Sequence, residues 1–543
     1  MIPSNLRPEL ARHLVQRLQA FGDGYRHNLA LIGPPGSGKT FQLQALLSQP
    51  PTNAVYLYCP LFRESCRSFL QRFLSAVLQA GLAAPDINGL GPAAEAEAPP
   101  QVPHSPDELL QQAERRLPRT AAAVRSIDGL LTRRLYGEAF NRALDTIPTL
   151  IEERRKPCVL MLDEFLFLEE LGLGHAFHEL GKRVMTWPTT LFILSSSAQY
   201  RARLILRERL QLLFGQFELV TLEELDPSAA AAWVTHELGG LGNAQATGAF
   251  LLRWLGAYPW YLAVFLKRLK ERAVLNQDFG VTEPLVLQTA WDVLGSSEGP
   301  LHQRCASRVD ALVHDRIGAR AVEVLLHIAE GARTATEIGA RVGRTGLSDA
   351  LQRLVEHDLA ARNGMCWMVA DPVLRCWLST ILLSQRASAH VGGADARARC
   401  EQYLRTLWTQ WLQAGQLSFP EQVIELFSRF SDDTVLLDAK TGRLPKFHAV
   451  TTHRPGERPA QTYVIAEGDG KRWCATIHEG PVDENAVAAF EAFCRSQLPK
   501  PARKVVITKS RMDENARLIA KAANMWVWGT QDLEVLRGLY GWL

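Results

Sequence analysis

The chain of 543 residues has no apolar run near the ~18–20 residues that a membrane helix requires. No C-x-x-C pair occurs among its nine scattered cysteines, so neither a disulfide framework nor a zinc site is expected. Net charge is only +3, which leaves no global bias toward nucleic acid or a membrane surface. Met1–Arg7 does not read as a signal peptide. The expectation is a reduced, cytoplasmic protein. Hydrophobic content of 47% and charged content of 22% are those of a globular chain, and the length suggests three or four domains.

One stretch organises the rest. Leu29-Ala-Leu-Ile runs into Gly33-Pro34-Pro35-Gly36-Ser37-Gly38-Lys39-Thr40, followed by a helical pattern from Phe41 to Leu47. This is G-x-x-x-x-G-K-[ST] between a strand and a helix. Glycines let backbone N–H groups turn toward phosphate oxygens, and the helix adds its positive end to the same site. Residues 33–41 are therefore the candidate ATP cradle. Lys39 is placed to reach the β- and γ-phosphates, and Thr40 to hold Mg²⁺.

Cys158-Val-Leu-Met-Leu-Asp163-Glu164 reads as a central parallel strand ending in two acids. Asp163 is the candidate Mg²⁺ ligand and Glu164 the candidate polariser of the attacking water. Thr190–Ser197 is the next strand. One of Ser195, Ser196 or Ser197 would sense the γ-phosphate, and Ser196 is the chosen candidate. Arg209, in the basic segment after it, is the candidate arginine finger toward a neighbouring subunit. Ala54–Cys59 and Phe217–Leu222 complete five strands. Residues 82–105, rich in Pro, Gly and Ala, read as a flexible surface insertion.

From Asp226 the pattern is helical to about residue 290, interrupted by Gly256-Ala-Tyr-Pro259-Trp-Tyr-Leu262. The P-loop, Leu-Met-Leu-Asp-Glu, the serine-ended strand and this helical block together resemble archaeal-type P-loop ATPases. These lie at the AAA+/STAND border, near the origin-recognition initiator ATPases. The resemblance covers roughly residues 8–380 and implies an ATPase core over 1–225 and a helical lid over 226–300. Where the family often has Tyr-Gly-Arg, this chain has Phe214-Gly215-Gln216.

Residues 318–378 read as helix–turn–helix followed by a two-stranded wing with Asn363-Gly364 at its tip. Ser348 is the expected cap of the third helix. The unit, bounded at 301–385, resembles the winged-helix module of the same family, including Asp371-Pro-Val-Leu-Arg375-Cys-Trp377. Arg344, Gln352 and Arg353 with Arg362 and Asn363 offer contacts to DNA. Acidic Asp349 and Glu356 leave open a structural or protein-binding role.

Residues 400–543 read as a helix, a β-meander, then helix–strand–helix–strand. This resembles the restriction-endonuclease-like domain, a fold that cuts DNA with an Asp and a Glu-x-Lys. Here Phe447-His448-Ala449 and Thr476-Ile477-His478 stand in those places, so the domain is expected to be inactive. Glu421, Glu425, Glu467 and His478 are the remaining candidates for another site.

The fold class expected is α/β, with a P-loop parallel sheet, a helical lid, a winged helix and a nuclease-like α/β domain. The function expected is an ATP- and Mg²⁺-dependent switch acting on DNA, as a homo-oligomer and with a protein partner. A STAND-type signalling ATPase and an ATP-gated nuclease are the alternatives.

Overall fold

The computed structural model describes residues 6–83, 106–208, 217–239, 241–242, 244–277, 280–387, 394–437, 440–453, 461–468 and 470–540. The expected insertion therefore lies, except at its first residues, outside the described residues. So do Arg209 and Phe214-Gly215-Gln216. The chain divides into two units, Met1–Ala232 with Ala257–Ala263, and Trp233–Gly256 with Val264–Leu543.

In the first unit the five short apolar runs become five strands. They are β1 (Asn28–Ile32), β2 (Val55–Pro60), β3 (Cys158–Asp163), β4 (Thr190–Ser196) and β5 (Phe217–Thr221). The sheet is all parallel, in the order β2-β3-β4-β1-β5. Strands β1, β3 and β4 are buried at every position, as expected of a parallel sheet covered on both faces. On one face the core gathers Leu14, Leu18, Leu43, Val159 and Ile193. On the other, Phe69, Phe73, Phe140, Leu160 and Phe192 belong to a second core. That second core is thickened by helices Cys66–Ala83, Pro106–Arg116, Pro118–Thr132 and Tyr136–Arg154, which lie between β2 and β3 in sequence. Helix Pro8–Gly22 is fastened to β5 by Arg17 Nε on Glu218 at 2.7 Å.

Within the second unit, helices Arg316–Ala329, Ala335–Val342 and Leu347–Glu356 precede a hairpin of β6 (Ala361–Asn363) and β7 (Cys366–Met368). Thr334 caps the middle helix through a complete capping box with Glu337. The third helix corrects an expectation. Its cap is Gly346, at φ 68°, and it begins at Leu347, so Ser348 sits inside the first turn. Gly346 reaches the left-handed region at no steric cost, and this turns the chain before a serine can cap it.

A 23-residue helix, Ala394–Gln416, leads to helix Phe419–Ser428 and a hairpin of β8 (Asp433–Leu437) and β9 (Lys440–Leu444). Then β10 (Ala449–His453), β11 (Gln461–Gly468) and β12 (Lys471–His478) form an antiparallel meander. Strands β13 (Arg503–Thr508) and β14 (Trp526–Trp528) add in parallel, so the sheet runs β10 to β14 in chain order. Phe427, Phe447, Trp473, Trp526 and Trp528 fill one face. The expected meander is present. The hairpin partner β9 precedes it.

The other face of this sheet buries a polar network. Gln461 donates to Tyr463 and Thr476, each at 3.3 Å, and Thr476 Oγ1 lies 2.9 Å from His478 Nε2. Burial holds the His478 imidazole down at about 4, against the pull of Asp483 toward the charged form. A depressed histidine stabilises the fold fully above its unfolded value of 6.5, and loses that stabilisation as pH falls toward 4. Denaturant melts of the wild type should therefore show on the order of 3 kcal/mol less stability at pH 4 than at pH 7 from this group. His478→Gln should flatten that part of the profile. An unchanged acid limb in the variant would remove His478 from the account.

Candidate functional site

The P-loop follows β1 because an apolar strand must leave the sheet abruptly there to present backbone to an anion. Gly33 has no room for a side chain: a Cβ would stand 2.3 Å from the Leu222 carbonyl oxygen. Gly36 and Gly38 have φ of 84° and 98°, a region that L side chains avoid. Gly38 then caps helix Lys39–Ser48. The Ser37 hydroxyl is fully buried and has no hydrogen-bond partner among the described residues. An orphaned hydroxyl within a ring of glycine backbone fits an anion such as a phosphate group.

Two neighbours not expected from the sequence shape this loop. Trp260 donates its backbone N–H to the Gly36 carbonyl at 3.2 Å, and its Cβ limits the space over Gly36. The Gly256–Leu262 break thus places Trp260 on the phosphate loop. Arg7 donates to the Ser37 carbonyl at 3.3 Å and also to the Glu223 carbonyl. The Lys39 ammonium lies on the loop itself, donating to Gly33 O at 2.8 Å and Pro34 O at 3.2 Å.

The second half of the site arrives from β3. Asp163 is 3% exposed, and its Oδ2 accepts from Thr40 Oγ1 at 2.7 Å and from Tyr58 OH at 3.0 Å. Its Oδ1 accepts from Ser195 Oγ. Burial and the neighbouring Asp163 charge both push the Tyr58 phenol up, so it stays a donor. The sequence-predicted pair, Thr40 and Asp163, is thus brought together. Both offer hard oxygens, and a magnesium ion takes one or two such protein ligands beside phosphate oxygens and water. Thr40 and Asp163 are the residues that would hold it, where it would neutralise charge on the triphosphate.

Glu164 follows at φ 56°, a left-handed conformation uncommon for a residue with a side chain. Its carboxylate accepts from Ser197 N at 2.8 Å and from Ser197 Oγ. Ser195 Oγ in turn accepts from Glu164 N at 3.2 Å. The serines therefore divide differently from the sequence expectation. Ser195 and Ser197 face the acids, whereas the Ser196 hydroxyl accepts from Ala198 N at 3.2 Å. The register of β4 beside β1, with Ile32 opposite Ser196, brings this strand end next to the P-loop. The alternation in Tyr56-Leu57-Tyr58 was a signal for Tyr58: β2 lies beside β3, and every second β2 residue faces one side.

The four candidates in the C-terminal region each have partners of their own, and only Glu421 and Glu425 share an element, helix Phe419–Ser428. Glu421 belongs to the Ser418 capping box, Glu425 pairs with Arg429 at 2.9 Å, and Glu467 accepts from Arg472 at 2.8 Å. His478 lies in the buried network described above. Among the described residues no group of three or more His, Cys, Asp or Glu side chains is placed to hold a metal ion, and no helix is long and apolar enough to cross a membrane.

Similar solved structures include a Walker-type ATPase of Pyrococcus abyssi, at 17% identity over 70% of this chain and 96% of that one, with a TM-score of 0.45. The ORC2 protein of Aeropyrum pernix, solved in ADPNP–ADP complexes, is 15% identical over 76% and 94%, with a TM-score of 0.40. The Holliday junction branch migration motor RuvB of Thermotoga maritima is 13% identical over 71% and 95%, with a TM-score of 0.32. No curated protein matches the chain. Residues 23–186, the stretch that holds the glycine-rich loop and the acid-ended strand β3, match the family model described as an AAA domain.

Proposed function

We propose that the chain is a Mg²⁺-dependent ATPase that works as a cytoplasmic molecular switch and acts on DNA. The observation that carries this reading is the Thr40–Asp163 hydrogen bond of 2.7 Å, which joins the P-loop helix to the acid-ended strand. Lys39 binds the triphosphate, Thr40 and Asp163 complete the metal site, and Glu164 orients the attacking water. Either Ser195 or Ser197 replaces Ser196 as the reporter of the γ-phosphate. Arg209 keeps its proposed role as finger toward a neighbouring copy in an oligomer. Ordering of such sites by a γ-phosphate is a general means of moving attached segments.

In the second unit the three helices and hairpin over 316–368 are a winged helix, the module that would meet DNA. The exposed side chains of Arg344 and Thr345 in the turn before its third helix, and of Asp349 and Gln352 on that helix, are the surface it would present. The restriction-endonuclease-like domain that follows serves as scaffold, because its candidate acids are engaged in a cap and ion pairs. A protein partner supplies any further chemistry.

The test is the ATPase rate of the full chain with and without duplex DNA across a salt series. Duplex should raise the rate several-fold, and the gain should fade steeply as salt rises, because phosphate contacts release counterions.

A second reading has an observation of its own. The hairpin tip is closed by the chain: Met365 N donates to Thr434 O at 2.9 Å, and Asn363 Oδ1 accepts from Leu436 N at 2.7 Å. A winged helix with its wing engaged suits a STAND-type ATPase that recruits a protein. ATP-dependent assembly without DNA, together with a DNA-insensitive ATPase rate, would favour that reading.

A further inference from the structure

The closed hairpin redirects attention to what lies beside it. Gly364 sits at φ 61°, and a Cβ there would stand 2.4 Å from the Thr434 carbonyl oxygen, so the tip and β8 meet backbone to backbone. Asn363 Nδ2 also donates to Leu436 O at 3.1 Å. Arg333, at the turn before the second helix, lies 4.6 Å over the Tyr540 ring and 3.6 Å from Asp433. These contacts bind the β6–β7 hairpin to the β8–β9 hairpin within one unit. They leave a groove of about 780 Å³ where the hairpin, helix Ala394–Gln416 and the C-terminal helices meet.

The groove's lining is unusual in charge. Arg333, Arg375, Arg399 and Arg429 line it against one carboxylate, Glu330, which is itself beside His327 at 3.0 Å. Arg399 and Arg429 hold acids on their own helices, Asp395 at 3.5 Å and Glu425 at 2.9 Å. Arg375 has no carboxylate within ion-pair distance among the described residues, and Tyr403 lines the groove with it. A half-buried guanidinium without an acid, in a concave site, leaves its fork of donors for an anion of matching geometry. Trp367 is half-buried on the wall, and the Arg362 guanidinium stands 5.8 Å from its ring centroid, so a stacking base takes the place of Arg362 or the opposite face of the ring.

We infer that this groove binds a short stretch of single-stranded nucleic acid, with Arg375 and Arg399 on the phosphodiester backbone and Trp367 stacking on an unpaired base. The pairing of arginines with an aromatic wall is the chemistry that holds unpaired strands irrespective of sequence. A duplex hides its base faces and presents only edges in its grooves, so it would leave Trp367 unused. The inference goes beyond the ATPase reading and does not depend on the P-loop.

The experiment is fluorescence anisotropy of a fluorescein-labelled oligothymidylate with the full chain, over a salt series. Wild type should bind, with log affinity falling linearly in log salt. Arg375→Glu with Arg399→Glu should weaken binding by about a hundredfold, and Arg375→Gln with Arg399→Gln should reduce the salt slope by about 1.4. Trp367→Ala should cost about tenfold while leaving the slope unchanged. Arg511→Glu, at an exposed arginine outside the groove's lining, should stay within twofold of wild type. Melting curves of the Gln pair matching wild type would show that the loss is not one of folding. The inference is overturned if wild type fails to bind the oligonucleotide at low salt, or if the Gln pair binds as wild type does. It is also overturned if Arg511→Glu carries the loss instead. Failure here with duplex-stimulated ATPase intact would leave the proposed function standing, and the converse result would separate them the other way.

Discussion

Lys39→Ala should abolish nucleotide binding, raising the ATP dissociation constant at least about a hundredfold and taking hydrolysis below detection. The ammonium is 4% exposed and sits on the loop that surrounds the expected phosphates, 2.8 Å from Gly33 O. Its removal deletes the one cation that the loop itself contributes. The charge cannot be replaced by geometry alone: Lys39→Arg puts a planar fork where a compact point charge fits, and should fail nearly as badly. The deleted hydrogen bonds to Gly33 and Pro34 would cost roughly 1 kcal/mol each in stability, so the fold should survive a modest fall in melting temperature. Isothermal titration with ATP, beside a melt of the same sample, reads both effects. A variant that still binds ATP as wild type does would place the nucleotide elsewhere.

That site was legible because its chemistry is local. Gly33, Gly36, Gly38, Lys39 and Thr40 are contiguous, and each constraint on them is a backbone or charge constraint visible in one stretch. Asp163 was legible because an apolar run ending in an acid is a strand edge. The partners of these residues were not. Tyr58, Ser195 and Ser197 reach the acids only because β2, β3 and β4 lie side by side, and that neighbourhood is set by packing across the sheet. Choosing among three consecutive serines depends on pleat direction: residues one apart point to opposite faces, so the middle one turned away. Arg7 and Trp260 touch the P-loop from far along the chain. Likewise Asn363 read as a turn residue, yet its amide also ties the hairpin to Leu436, a contact between segments with no shared pattern. The third helix cap was misplaced for a smaller reason. A serine is the better cap by composition, but a glycine two residues earlier fixed the turn first.

Glu164→Gln should separate binding from chemistry. Glu164 stands directly after Asp163 with φ at 56°, a conformation that costs about 1–3 kcal/mol and is kept only where surrounding contacts enforce it. Ser195 Oγ receives its N–H, and Ser197 holds its carboxylate with both N–H and hydroxyl. In this arrangement each carboxylate oxygen accepts one bond from Ser197 and keeps further lone-pair capacity, so the Ser197 contact restrains the proposed base and lowers its basicity without filling it. A glutamine keeps the size and can still accept from Ser197, but it cannot take a proton. ATP affinity should then stay within about threefold of wild type, while the single-turnover hydrolysis rate should fall about 10²–10³-fold. Filter binding and a quenched single-turnover assay measure the two quantities separately. If both fell together, Glu164 would be a structural brace for the β4 turn. If neither moved, the base would have to be sought elsewhere. Ser197→Ala sharpens the comparison: releasing a restrained base should leave hydrolysis at or above the wild-type rate, whereas loss of a brace should lower the melting temperature and the rate alike.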